Sequence, residues 1–146
     1  MSAVDVVDAY LGRLSGAARR LAHAEWGLSI EEDHLGGPLD VGVRIADELL
    51  RAQALALSAD PALDLRVLLQ WNRQTRLVRF ASTRAGDIWV HADVPVLGLD
   101  ERGVDRLLGL VVQAAARARE HAAAVRDPAP AERTWLSPAA RPPAGD

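Results

Sequence analysis

The sequence contains no cysteine and no lysine; all 17 basic residues are arginine. Without cysteine there are no disulfides, no thiolate nucleophile and no sulfur-ligated zinc. Without lysine there is no Schiff-base amine and no lysine-bearing phosphate loop. Apolar runs are short, and none approaches the ~18 residues that a membrane span requires. The first residues, Met1 to Asp5, carry no basic stretch of the kind that opens a signal peptide, so a cytoplasmic location is expected. The net charge of −3 supplies no general attraction to nucleic acid or to an anionic membrane.

What remains is an ordinary globular composition, 49% apolar and 25% charged over 146 residues, enough for one domain with its own core. Residues 4–22 repeat with helical period: Val4, Val7, Leu11, Leu14, Ala18 and Leu21 share one side. Trp26 to Ile30 alternates as a strand, and Leu39, Val41, Val43 and Ile45 repeat at period two. Residues 49–57 have helical propensity, yet Leu55 and Leu57 alternate with Ala54 and Ala56. Asp60-Pro61 opens a helix running to about Gln74. Strands follow around Leu77–Ser82 and Ile88–Val94, with turn chemistry at Arg84–Asp87 between them. Asp100 caps a last helix to about Val125. Residues 127–146 hold five of the eight prolines and are expected to form a disordered tail behind a domain of residues 1–126.

Several pieces of residues 49–112 together resemble one family. They are the strand LLRAQALAL, the LL-x-x-N element at Leu68 to Asn72, the paired strands, the Gly86-Asp87 turn and the VDRLLG helix. In their order and spacing these are similar to YbjN-like proteins, which share the fold of type III secretion chaperones. The resemblance extends loosely back to Trp26. It implies an α+β fold of the type III secretion chaperone-like order α-βββ-α-ββ-α, a mainly antiparallel twisted sheet covered by helices. It also places residues 49–57 in a strand, because tertiary context overrides propensity. It implies a protein-binding role, since secretion chaperones dimerise and hold segments of client proteins, and YbjN-like proteins are described as sensory-transduction regulators. It supplies no catalytic residue and no cofactor. The alanine-rich third strand and the proline-rich tail depart from the family pattern.

Some side chains invite a chemical reading. His91 and Asp93 are two apart on a strand and project from one face, which is how a metal site or an oriented general base begins. A third partner is needed from His23, His34 or His121, and no spacing supports it; a solvated strand face is the plainer account. Glu31, Glu32, Asp33 and His34 form an acidic knot without the alternation or glycine of a calcium loop, so a solvated loop accounts for it. Arg13, Arg19 and Arg20 fall on the first helix. Arg73, Arg76, Arg79 and Arg84 surround the second helix and hairpin. They are the only footing for a regulator that contacts nucleic acid, and no helix-turn-helix or RNA-binding motif accompanies them. Ser82 and Ser137 lack a nucleophile-elbow setting. A non-enzymatic binding module without metal or cofactor is therefore expected, with a small metal-dependent enzyme using His91 and Asp93 as the alternative.

The strongest binding signal is the second helix. At 100° per residue, Leu65, Leu68, Leu69 and Asn72 fall on one side, with Leu63, Val67 and Trp71 nearly opposite. One side meets the sheet; the other needs a second partner, either a helix of this chain, a client or a second copy. The reading adopted is a symmetric homodimer or a client contact through Leu63, Val67 and Trp71. Trp135 and Leu136 form an isolated apolar pair in the tail and are a second candidate contact.

Overall fold

A computed structural model describes residues 1–14 and 18–127. The elements in chain order are α1 (Ala3–Gly12), β1 (Ala18–Ala22), β2 (Glu25–Ile30), β3 (Leu39–Ala46), β4 (Leu49–Leu57), α2 (Leu65–Asn72), β5 (Val78–Ser82), β6 (Ile88–Pro95) and α3 (Glu101–Arg126). The strands form one fully antiparallel sheet in the order β1-β2-β3-β4-β6-β5. A single 3₁₀ turn at Asp33–Leu35 joins β2 to β3.

The expected helix over 4–22 is corrected by this topology. α1 stops at Gly12, where a residue without Cβ weakens a helix, and residues 18–22 return as a strand paired with β2. The two-residue turn His23-Ala24 closes that hairpin, with Ala24 in the left-handed region at φ 59°. The repeat of apolar residues had continued past the helix by coincidence. Leu21 leaves the core and is 58% exposed on the sheet surface. Arg19 and Arg20 therefore stand on a strand rather than a helix. Arg20 turns toward α1, donating to Asp8, and Asp8 also accepts from the Trp26 indole at 2.7 Å.

The second helix is shorter than expected. Asp60 and Pro61 make a turn, in which Asp60 accepts from the Ala62 amide, and the helix is capped instead by Asp64, whose carboxylate accepts from Arg66 N. α3 begins where expected: Asp100 Oδ1 accepts from Gly103 N at 2.9 Å.

β4 explains how the layers fit. Its inward residues are Leu50, Ala52, Ala54 and Ala56, all essentially inaccessible. Facing them, α3 presents Ala114, Ala115, Ala118 and Ala122. Small side chains on both elements let helix and strand pack closely, and Val104, Leu107, Leu108 and Val111 continue the same buried cluster along α3. The strand over 49–57 thus exists because a long helix covers small side chains. Arg119 locks the far end of this contact. Its guanidinium donates to the carbonyls of Ala56, Leu35, Gly37 and Pro38 at 2.9–3.1 Å, pinning the 3₁₀ turn and the start of β3 to α3.

The two sheet edges are finished differently. Beside β5, Asn72 acts as a substitute strand: its amide nitrogen donates to Phe80 O at 3.0 Å and its carbonyl accepts from Phe80 N at 2.8 Å. This is the asparagine of the LL-x-x-N element. The other edge is β1.

Candidate functional site

The burial alternation shows that one sheet face is covered. Trp26, Leu28, Val41, Val43, Leu50, Val90 and Phe80 point toward the helices and are buried. Among the described residues, no helix covers the opposite face. Its residues follow from the register. One row across the strands is Glu25, Arg44, Arg51 and Asp93; the next is Arg19, Gly27, Gly42, Gln53, His91 and Arg79. Beyond them Ser29 pairs with Asp40, and Leu55 with Trp89.

In the middle row Gly27 and Gly42 lie directly opposite one another on adjacent strands. Neither has a positive φ, so the backbone itself does not require glycine. A Cβ built at Gly42 would meet nothing closer than Gln53 at 3.9 Å, and one at Gly27 would press on Leu21 Cδ1 at 3.3 Å. At Gly42 the missing side chain leaves bare backbone on the floor of a trough, while Leu21 lies over Gly27. The trough has a volume of about 570 Å³, with Leu21 and Arg19 on one wall and Gln53 and Trp89 on the other. A second hollow of about 230 Å³ continues it toward Glu25, Arg44 and Arg51. A glycine inside a strand weakens it and is found where a ligand or another backbone comes close. Sequence reading passed over both glycines, since only strand register brings them together. The available signal was that each sits within an alternating apolar pattern and not at a turn.

His91 and Asp93 stand on this same face, as their spacing implied. Asp93 is held by Arg51 through two bonds, Nε to Oδ1 at 2.7 Å and Nη2 to Oδ2 at 3.2 Å. Burial, reinforced by the charge of Arg51 and opposed by Asp93, lowers the His91 pKa. Its ring lies 6.3 Å from that of Trp89. The proposed third partners are engaged elsewhere: His23 with Arg20, His34 with Glu32, and His121 edge-on to Trp71. Among the described residues no three histidine or carboxylate side chains come together as a metal site. Glu32 of the acidic knot meets only His34 in an ion pair. Of the arginines near the hairpin, Arg79 is turned onto the carbonyls of Thr75 and Val78.

On α2 the expected division of faces is corrected. Leu68 and Asn72 meet the sheet as expected, but Leu63 is buried too, and Val67 is half-buried. Trp71 packs against Phe80 and His121, and Arg117 lies 3.9 Å over its ring. The second partner of that side is thus α3 of the same chain. The residues left exposed are Leu65 and Leu69, the latter 64% accessible. Trp135 and Leu136 lie outside the described residues, as does the expected tail beyond Asp127.

No curated protein matches the sequence. Among solved structures, a chain of the HopA1–SchA chaperone–effector complex is similar at TM-score 0.61 and 14% identity, over 80% of this chain and 91% of that one. The Yersinia pestis type III secretion chaperone SycH, solved with a fragment of YscM2, gives TM-score 0.58 and 13% identity over 80% and 98%. YbjN from E. coli gives 0.58 and 16% over 80% and 91%. These likenesses establish the α+β chaperone-like fold. The YbjN family model, described as "Putative bacterial sensory transduction regulator", matches residues 40–124. That match runs from β3 through nearly all of α3 and takes in more than half of the sequence, so the chain belongs to the YbjN family.

Proposed function

We propose that the protein is a non-enzymatic binding module, chaperone-like or regulatory, that holds an extended segment of a protein client on its uncovered sheet face. Gly42 carries this reading. Each mid-strand glycine costs roughly 0.5–1 kcal/mol relative to alanine. Gly27 makes room for Leu21, whereas at Gly42 nothing in the fold requires glycine, so the open floor is what that position provides. An extended peptide suits such a floor: it is thin, it lies along the strands, and Leu21, Leu55 and Trp89 offer apolar contacts for alternate side chains. Relatives of the same fold solved as a chaperone–effector complex and as a chaperone with a protein fragment agree with a protein client.

The test is site-specific photocrosslinking in the native host, with the reactive group at Gln53 in the trough and at Arg102 on α3 as a control. A protein adduct formed from position 53 and not from 102 is the expected result. No adduct at 53, or equal yields at both positions, overturns the reading.

Self-association is part of the same proposal. With Leu63 and Trp71 turned inward, Leu65 and Leu69 become the contact on α2, with Val67 beside them.

A further inference from the structure

We propose that the trough has an occupant within this chain: the segment Glu132 to Ser137, with Trp135 over the Gly27–Gly42 floor, competing there with the client. This rests on the reading of the trough as the client site.

Position is the first argument. α3 delivers the chain to the correct end of the sheet. Arg119 is bonded to Ala56 O and Pro38 O, and Arg126 reaches Asp60 at 3.6 Å, so the last turns of the helix stand where β4 ends and β3 begins. The trough opens at that same end, lined by Ser29, Asp40 and Trp89. The chain therefore has to pass around one sheet end and need not cross the sheet.

Reach is the second. Trp135 is eight positions beyond Asp127, and an extended chain covers at most about 29 Å over that length. Packed layers lie about 10 Å apart, so the passage from the helix layer to the far face of the sheet is within range.

Chemistry is the third. The floor lacks a side chain at Gly42, which suits a flat ring, and Leu21 and Trp89 flank it. The rim carries one cation, Arg19, and one anion, Asp40; neither takes part in an ion pair among the described residues. The segment supplies one charge of each sign, Glu132 and Arg133, immediately before Trp135 and Leu136. A tryptophan in polar sequence gains its hydrophobic free energy only when something covers it.

The experiment uses the full chain labelled with fluorotryptophan and read by fluorine NMR, which resolves Trp26, Trp71, Trp89 and Trp135. Trp135→Phe assigns the fourth signal. The expected result is a Trp135 signal shielded from solvent, a Trp89 signal that moves in Trp135→Phe, and release of Trp135 to solvent in Gly42→Val. Unchanged Trp26 and Trp71 signals certify the fold; if Gly42→Val disturbs them, Leu21→Ser replaces it, removing a wall without adding bulk. A Trp135 signal fully exposed in the unaltered chain overturns the inference. Protection that disappears on dilution also overturns it, because the trough then holds the segment of a second copy. Crosslinking at Gln53 separates the two proposals. Trp135→Ala should raise the client adduct several-fold. Adduct formed with Trp135 exposed throughout sinks the intramolecular occupant and leaves the client site standing. A protected Trp135 with no adduct even in Trp135→Ala sinks the client competition and leaves only the contact within the chain.

Discussion

Tyr10 is the single tyrosine of the chain, and its hydroxyl donates to Asp105 Oδ1 at 2.6 Å, tying α1 to α3. Arg13 and Glu101 form an ion pair between the same two helices. Burial of the ring, followed by the bond to Asp105, pushes the phenol pKa up to about 12. The folded protein therefore holds this proton more tightly than the unfolded chain does. The contribution to stability is complete below the ordinary tyrosine pKa near 10 and is lost as pH rises through about 12. Because no other tyrosine interferes, the ultraviolet absorbance of the phenolate titrates Tyr10 alone. A midpoint near 12 is expected, falling toward 10 in Asp105→Ala; a midpoint near 10 in the unaltered protein contradicts the contact.

The β3–β4 hairpin turns through Asp47 and Glu48, both in the left-handed region at φ 53° and 61°. Side chains with a Cβ are strained there by about 1–2 kcal/mol, which is why such turns favour Asn-Gly. Glu48 contributes its carbonyl to the fold, accepting from Val96 N at 2.9 Å, and among the described residues no bond of its carboxylate holds the turn. Glu48→Gly is thus expected to stabilise the protein by about 1 kcal/mol. A denaturation midpoint that is unchanged or lowered refutes this. The preceding strand β3 was readable from its period-two alternation and α3 from its Asp100 cap, whereas residues 49–57 have helical propensity and only the family resemblance made them a strand. The alternation of leucine and alanine in β4 did not tell which set faces the core. The larger Leu55 faces outward and the alanines inward, because α3 meets them with alanines of its own. β1 was unreadable for a related reason: helical spacing is only a count along the chain, and it ran on through Gly12. Helical geometry divides the residues of α2 between two faces, but it cannot say which side a neighbouring helix will cover. Arg117 and His121, far along the sequence, made that choice for Trp71.

For the molecule as a whole, the fold class was legible in the sequence, while the trough arises only when register sets Gly27 against Gly42. Self-association also has to be read at this scale. Leu65 and Leu69 stand one turn apart on α2 with most of Leu69 in solvent. Light scattering is expected to show a dimer at micromolar concentration and a folded monomer for Leu69→Asp. A monomeric unaltered protein, or a dimer that survives the substitution, excludes α2 as the contact.

Asn72 sets a further limit on how copies of this molecule assemble. A sheet with two bare edges can join head to tail, each copy offering the edge that the next one accepts, and such addition has no natural end. Here the β5 edge is already met at Phe80 by a side chain of its own subunit, which leaves β1 as the edge to share. An edge that joins only its own kind makes one bond and is then used up. Addition at the β5 edge is blocked at Phe80, so Asn72→Leu is expected to free that edge for the β1 edge of another copy; filaments seen by electron microscopy in the variant and not in the unaltered protein bear this out, and their absence from the variant refutes it.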